Sequence, residues 1–550
     1  MSIDLSLDRL RILISHMPPY TRPTCHIAGT NGKGSVSALV SSILQSSTPP
    51  LKVGRYNSPH LVSIYDCITI DNIPVSLASY NAARAEVTEK DLENGTRLSS
   101  FEILTLSALM VFEREKVDVA VVEVGMGGRL DATNIIPDLS ILVSALTAVD
   151  LDHQFFLGDT VAKIAFEKAG IARKTRPFVL GSQNPAHAEQ VKASVKKAIG
   201  EVGAVLVPAI TVLKRDWDTT VDGPPPESFS LLSSVSQTPP PQPVKITLPC
   251  FSSPLQTLLP LYGAHQLDNL GTALTMINTL LTDPSCEEKL IQNSSTLRSA
   301  SMSLKDMITL ESVARGIKET KWPGRLSFHT VHLPSSPSTP NIAPPPPFLV
   351  LADGAHNPAS AKTLGDYITH LLHQTIVSAT NTTEEDPKYQ AAARRKPICI
   401  NLNITYILSL SHSPPKTPLQ TLSPLFPPLG STITFGNFEA STTVSVGLLR
   451  FTPPEGMPWV KCVPPTEVEE VVRGLIPGAN IWVVPDAADV DDKVKSLERK
   501  SESALEKALR WAAGKRKENE DGVEQANLVV LAGSLYLVAD FYRFLDQLIQ

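Results

Sequence analysis

HIAGTNGKGSVSALVSSIL, residues 26–44, reads as a strand, a glycine-rich turn and a helix. Cys25 to Ala28 is short and apolar, as a buried strand is, and Val36, Leu39, Val40, Ile43 and Leu44 recur at helical spacing. Glycines let the backbone turn tightly and point its N–H groups inward. The helix start adds free donors and a partial positive charge, which suit a phosphate. Lys33 reaches the terminal phosphates as a point charge. The common phosphate loop is G-x-x-x-x-G-K-[ST]. Here Ile27 stands at the first glycine and Gly34 stands at the hydroxyl residue, with Ser35 one position late. The hydroxyl that normally holds magnesium is displaced or missing, so metal ligands are sought elsewhere. An ordinary strand-to-helix turn would not need three glycines, a lysine and a serine within seven residues.

The chain has 550 residues, enough for two domains with large cores, and a net charge of −6. That charge gives no basic footprint for nucleic acid. Cys25, Cys67, Cys250, Cys286, Cys399 and Cys462 are scattered without C-x-x-C pairing, so neither a disulfide framework nor a zinc site is expected. No apolar run is long enough to span a bilayer. The N-terminus, MSIDLSLDRLRILISHM, has helical spacing but lacks a secretory core, and its two acids argue against a transit peptide. The expectation is a cytoplasmic monomer with small-molecule substrates and no nucleic-acid or membrane partner.

The first half alternates strand-like and helix-like segments. VDVAVVEVG (117–125) and LSILVSALTAVD (139–150) read as buried strands, and FEILTLSALMVFERE (101–115) as a helix. Such a pattern indicates a parallel sheet covered on both faces, hence an α/β fold. A second α/β pattern begins near Pro347 with FLVLADGAHN and the helical AKTLGDYITHLLHQ, and it continues with PICINLNITYILSL, ANIWVVPD and NLVVLAGSLYLVADFYRFLDQL. Pro and Gly at 322–324 mark the boundary. This predicts domains 1–322 and 323–550. The proline-rich or polar stretches 221–244, 333–347, 380–396 and 411–430 read as solvated insertions.

Polar clusters sit at the ends of apolar runs, where open α/β sheets place ligands. RYNSPHLVS carries Ser58 and His60. VVEVGMGGRLDATN carries Glu123, four more glycine-loop residues and Asp131. AVDLDHQFFLG carries Asp150, Asp152 and His153. A carboxylate inside VAVVEVG is costly to bury unless paired or metal-bound. A hydroxyl, a carboxylate and an imidazole would make a mixed magnesium set. The ordinary alternatives are an ion pair from Glu123 to Arg129, a core histidine at 153 and an exposed lysine at 168.

In this order the segments HIAGTNGKGSV, NSPHL, FEILTLSAL, EVGMGGRLDATN, LDHQFFLGDT, EKAGI, GAHQLDN, WPGR and DGAHNP resemble the folylpolyglutamate synthase/dihydrofolate synthase family of Mur-type ATP-dependent amide ligases. The resemblance implies a P-loop ATPase domain of the Mur-ligase central type, then a smaller Rossmann-like domain on the glutamate side. It implies ATP and magnesium at two sites. Gly29, Thr30, Asn31, Gly32, Lys33, Gly34 and Ser35 would cradle the phosphates, and Asn269, Arg325 and Asp353 would also contact ATP. Ser58, Glu123 and His153 would bind one magnesium, and Lys168, carbamylated, a second. Lys33, Lys168 and His356 would serve catalysis. Ile3, Asp4, Phe101, Glu102, Leu130, Asp131 and Ala132 would meet the pterin.

The implied reaction joins L-glutamate to 7,8-dihydropteroate at the expense of ATP. The alternatives are adding γ-linked glutamates to tetrahydrofolate, or both activities. Eukaryotic folylpolyglutamate synthases typically have Lys where Asn31 stands, and EGMPW (455–459) and LAGSLYLVADF (531–541) look like fungal dihydrofolate synthases. The chain begins almost at the family motif, so no mitochondrial leader is expected. Two departures stand out. YILSLSHSPPKTPLQTL (406–422) occupies the place of an expected D-K-D segment, and GSTITFGNFEASTTVSVGLLRF (430–451) resembles nothing assignable.

Overall fold

The computed structural model describes residues 6–227, 229–232, 238–300, 302–335, 343–385, 398–426, 433–435, 438–454, 457, 460–484, 502–516 and 523–549. Ile3, Asp4, most of EGMPW and most of 380–396 lie outside the described residues. The chain divides into two compact units. One comprises Met1–Pro225 and Pro241–Trp322, the other Pro226–Pro240 and Pro323–Gln550. No helix among the described residues is long and apolar enough to cross a membrane.

In the first unit the strands are β1 (Thr24–Ala28), β2 (Val53–Tyr56), β3 (Ile68–Ile70), β4 (Ile73–Pro74), β5 (Val119–Glu123), β6 (Ile141–Leu146), β7 (Pro177–Leu180) and β8 (Val205–Pro208). Among the described residues they form one eight-stranded sheet in the order β4-β3-β2-β5-β1-β6-β7-β8. From β2 to β8 all neighbours are parallel, and only β3 and β4 turn back. Alternate residues of β5 serve opposite cores. Val119 and Val121 join the one holding Val36, Leu39 and Ile43, while Ala120 and Val122 join the one holding Tyr56 and Phe112. Both faces are covered, so the strand reads as one apolar run rather than an alternation. Ser99 and Glu102 form a capping box that starts the helix Ser100–Glu115. A smaller sheet pairs β9 (Leu213–Lys214), β10 (Gln242–Ile246) and β11 (Leu255–Leu259).

In the second unit the strands are β12 (Ser327–Val331), β13 (Phe348–Ala352), β14 (Ile398–Leu408), β15 (Ile433–Phe435), β16 (Phe438–Leu448), β17 (Asn480–Val483) and β18 (Val523–Ala532). Their order is β12-β13-β18-β14-β16-β15, with β17 also beside β16. β14 pairs in parallel with β16 along its whole length and with β18 on its other side. The unassignable segment 430–451 is therefore structural, since β16 is an inner strand of this sheet.

Two expected insertions are not wholly solvated. Phe229 and Leu231 are buried in the second unit. The Phe229 ring lies 6.1 Å from that of Phe328, and the Leu231 N–H donates to Thr375 Oγ1 at 3.3 Å. Thr421 and Leu422, within 411–430, are buried on the short helix Pro418–Leu422. In both places apolar side chains among the prolines gain more from burial than the turn-forming residues around them oppose.

Candidate active site

The glycine-rich turn leaves β1 at the centre of the first unit's sheet. Gly32 has φ 93° and precedes the helix Lys33–Gln45. A Cβ there would collide with Asn269 Oδ1. Asn269 lies on the helix His265–Thr282, where its Nδ2 donates to Gln266 Oε1 at 2.9 Å, and Gln266 Nε2 donates to Ser35 Oγ at 3.2 Å. A second helix is thus braced onto the loop. Gly32→Ala combines a left-handed backbone with this collision. It is expected to destabilise the protein by about 1–2 kcal/mol or more, read as a fall in the thermal midpoint.

The connection after β6 is stitched to the same turn. The Thr30 and Asn31 N–H groups donate to the Ala148 carbonyl at 2.9 and 3.2 Å. Thr147 Oγ1 donates to the Asn31 carbonyl at 2.7 Å, and the Asp150 N–H donates to Thr30 Oγ1 at 3.1 Å. His153 follows on this connection. It is exposed, has φ 50°, and its N–H donates to Asp152 Oδ1 at 3.0 Å. It is not a core histidine.

Glu123 ends β5, in register with Ile27 of β1. It is buried, with Oε1 3.7 Å from Lys33 Nζ and Oε2 accepting from Asn57 Nδ2 at 2.6 Å. The Arg129 alternative is excluded, because Arg129 pairs with Glu167 at 3.0 Å. Asn57 also donates to Ser37 Oγ at 2.6 Å, which ties the β2 end to the helix after the turn. Ser58, the next residue, has a buried Oγ with no hydrogen-bond partner. An orphaned hydroxyl, on the residue after the one that bonds a buried carboxylate, suits a hard cation. Among the described residues no group of three His, Cys, Asp or Glu side chains is arranged to hold a metal. The expected set supplies only two of those types.

Lys168 is 3% exposed and is not the surface lysine its composition suggests. It faces inward from the helix Val161–Ala169, and its Nζ donates to the Gly29 carbonyl at 2.9 Å. Burial, aided by the nearby Lys33 charge and opposed by Asp152 and Asp131, lowers its pKa to about 7. The loop after β5 packs on this helix, and a Cβ on Gly128 would lie 2.6 Å from the Lys168 carbonyl oxygen. Asp131 holds that loop by accepting from the Met126 N–H at 2.8 Å and from Thr133 Oγ1 at 2.6 Å, and burial raises its pKa. Phe101 lies against Gly125, where a Cβ would collide with its ring. Glu102 caps its helix and pairs with Arg9 at 3.1 Å. Leu130 is partly exposed and Ala132 buried.

In the second unit Asp353 follows β13 and is buried. Its carboxylate accepts from the N–H groups of Leu326 and Ala355 at 2.7 and 2.8 Å. Burial raises its pKa against the pull of Arg325. Gly354 sits against Arg325, whose Nη1 would lie 2.6 Å from a Cβ there. His356 is exposed, with Nδ1 2.8 Å from the Gly354 carbonyl.

Sequence reasoning missed Arg55, Asn57, Gln266 and Trp322. The Trp322 indole covers Gly34, where a Cβ would collide with Cζ2. Arg55 is a charge inside the four-residue strand VGRY.

A profile described as "Dihydrofolate synthetase, C-terminal domain" matches residues 441–544. The Saccharomyces cerevisiae protein named dihydrofolate synthetase is 28% identical over 99% of this chain and 98% of its own length. The Mycobacterium tuberculosis protein named dihydrofolate synthase/folylpolyglutamate synthase is 30% identical over 67% of each chain. A solved Mycobacterium tuberculosis folylpolyglutamate synthase, complexed with ADP and AMPPCP, superposes with a TM-score of 0.61 at 24% identity, covering 98% of this chain and 95% of that one. That last likeness concerns the fold. The fold, the turn and the relatives together define an ATP-dependent acid–amino-acid ligase. The chain belongs to the folylpolyglutamate synthase/dihydrofolate synthase family.

Proposed function

We propose that the protein joins L-glutamate to 7,8-dihydropteroate, giving 7,8-dihydrofolate, ADP and phosphate. The observation that carries the chemistry is the ion pair between the half-buried Lys33 and the buried Glu123 at the glycine-rich turn. The full-length correspondence with the yeast protein supports dihydropteroate as the acceptor.

A carboxylate is a poor acylating group. Its oxygen attacks the γ-phosphorus of ATP, the bond to the β-bridging oxygen breaks, and ADP leaves. The glutamate amine then attacks the acyl carbon, a proton is lost, and phosphate departs. The protein's part in the first step is positioning and charge balance. The N–H groups of the turn and the Lys33 ammonium would hold the phosphates, and Asn269 would fix the turn's shape. Arg325 and Asp353 are proposed as further ATP contacts, with His356 beside them. Ser58, Glu123 and His153 would hold a magnesium ion, which when bound offsets phosphate charge and orients the terminal phosphate. Lys168 as its carbamate would hold a second. Phe101, Leu130 and Ala132 would face the pteridine, with Glu102 and Asp131 fixing their loops. Ile3 and Asp4 keep the same proposed role. The six cysteines are free thiols, which fits the proposed cytoplasmic setting; a monomer is proposed.

The Mycobacterium tuberculosis relative's double name favours, as a second reading, activity on tetrahydrofolate as well. Glutamate-dependent phosphate release should be measured with dihydropteroate and with tetrahydrofolate as acceptor. Dihydropteroate is expected to support turnover at about tenfold or greater kcat/KM. Release with tetrahydrofolate alone would overturn the proposal.

A further inference from the structure

Arg55 lies on β2, laddered to Val121 of β5 on one side and to Thr69 of β3 on the other. It is 7% exposed. Its guanidinium sits 5.1 Å from the centre of the Trp322 ring, the same ring that covers Gly34. Asn57, two residues on and so on the same face of the strand, bonds both Ser37 and Glu123. Arg55 therefore stands beside the helix that follows the phosphate turn, within electrostatic reach of Glu123.

Two of its nitrogens make no hydrogen bond. Nε and Nη1 are buried without a hydrogen-bond partner, as are Thr69 Oγ1, directly across the ladder, and Ser58 Oγ, three residues on. The nearby Asp66 carboxylate is already committed to the N–H groups of Leu61, Val62 and Ser63 at 2.7–3.0 Å. Unpaired buried donors are costly, and a charged one most of all. The Trp322 ring beneath the guanidinium restrains where it lies, and a desolvated cation with unused N–H groups suits an anionic oxygen.

We infer that Arg55, with Thr69 Oγ1 beside it, is a preformed receptor for an anionic oxygen of the reacting pair, a phosphoryl or a carboxylate oxygen. This rests on the ligase reading above. That reading brings two such anions to the neighbourhood of Lys33 and Glu123, the terminal phosphate of ATP and the acid that it activates. The receptor completes its hydrogen bonds only when one of them arrives. It adds a second fixed cation to Lys33 where charge redistributes between donor and acceptor.

The test is calorimetric binding to the full chain of AMPPCP with magnesium and, separately, of dihydropteroate, comparing wild type, Arg55→Met and Arg55→Lys. Arg55→Met is expected to weaken one of the two ligands by about tenfold or more, with Arg55→Lys restoring part of the loss. Weakened AMPPCP assigns the phosphoryl oxygen, and weakened dihydropteroate assigns the carboxylate. The ligand-free thermal midpoint of Arg55→Met should change little, because an apolar chain replaces a buried charge whose Nε and Nη1 lack hydrogen bonds. Should Arg55→Met fail to fold, Arg55→Lys alone carries the comparison, because its ammonium cannot place donors at both the Nε and Nη1 positions. Both ligands binding the variants within about twofold of wild type would overturn the inference, with wild-type turnover of dihydropteroate leaving the proposed function intact.

Discussion

Lys33→Ala is expected to lower glutamate-dependent phosphate release by at least about 10²–10³-fold, the usual loss when a charge-stabilising donor is removed from a reacting centre. The ammonium stands 3.7 Å from Glu123 and is held by the Thr30 carbonyl at 3.3 Å, so it is oriented before substrates arrive. Loss should fall on kcat as well as on KM for ATP, because the charge on the phosphoryl group changes between ground and transition states. Lys33→Ala also leaves Glu123 buried without its cation, so a modest drop in thermal midpoint should accompany it. Steady-state assays of a folded variant decide the matter. Turnover within about threefold of wild type would remove Lys33 from the mechanism.

The second large effect concerns Lys168. A carbamate forms when a neutral amine attacks CO2, making an N–C bond and releasing a proton. An ordinary lysine is almost wholly protonated near neutrality. With its pKa lowered to about 7, Lys168 is about half neutral at pH 7 and mostly neutral at pH 8. Activity should therefore rise with dissolved CO2, and the carbamate should be lost as pH falls through about 7. Lys168→Met should lose about 10²-fold or more in turnover if the carboxylate is a metal ligand. The stability sign follows from proton counting. Between about pH 7 and 10.5 the unfolded lysine keeps a proton that the folded one has released, so stability rises with pH across that window and the full penalty applies below it. Lys168→Met should accordingly be no less stable than wild type at pH 6. Carbon-13 NMR with labelled bicarbonate at pH 8, beside assays in CO2-depleted buffer, tests this. Absence of a carbamate signal together with an unchanged rate would refute it.

The first unit was legible because parallel strands covered on both faces leave continuous apolar runs, and a lone acid such as Glu123 stands out against one. Arg55 did not stand out, because its strand is four residues long and bounded by turn formers. The burial of Lys168 could have been read from its helix. Val161, Ile164, Ala165, Lys168 and Ala169 form one helical stripe, so the lysine shares the core-facing side. β16 was opaque for the opposite reason. FEASTTVSVGL is half polar, and only its pairing with β14 makes it an inner strand. Phe229 and Leu231 were hidden among prolines that suggest solvent. The displaced metal hydroxyl was readable as an absence in the turn, but the orphaned state of Ser58 Oγ needs coordinates.

In the second unit Val331 of β12 sits directly opposite Phe348 of β13, although a long proline-rich connection separates them. The two ends of that connection are thus pinned one strand-spacing apart whatever lies between. Closing a flexible loop costs only about 0.6 kcal/mol more for each doubling of its length. A change of length in the connection that leaves this pairing in place is therefore expected to cost the sheet little.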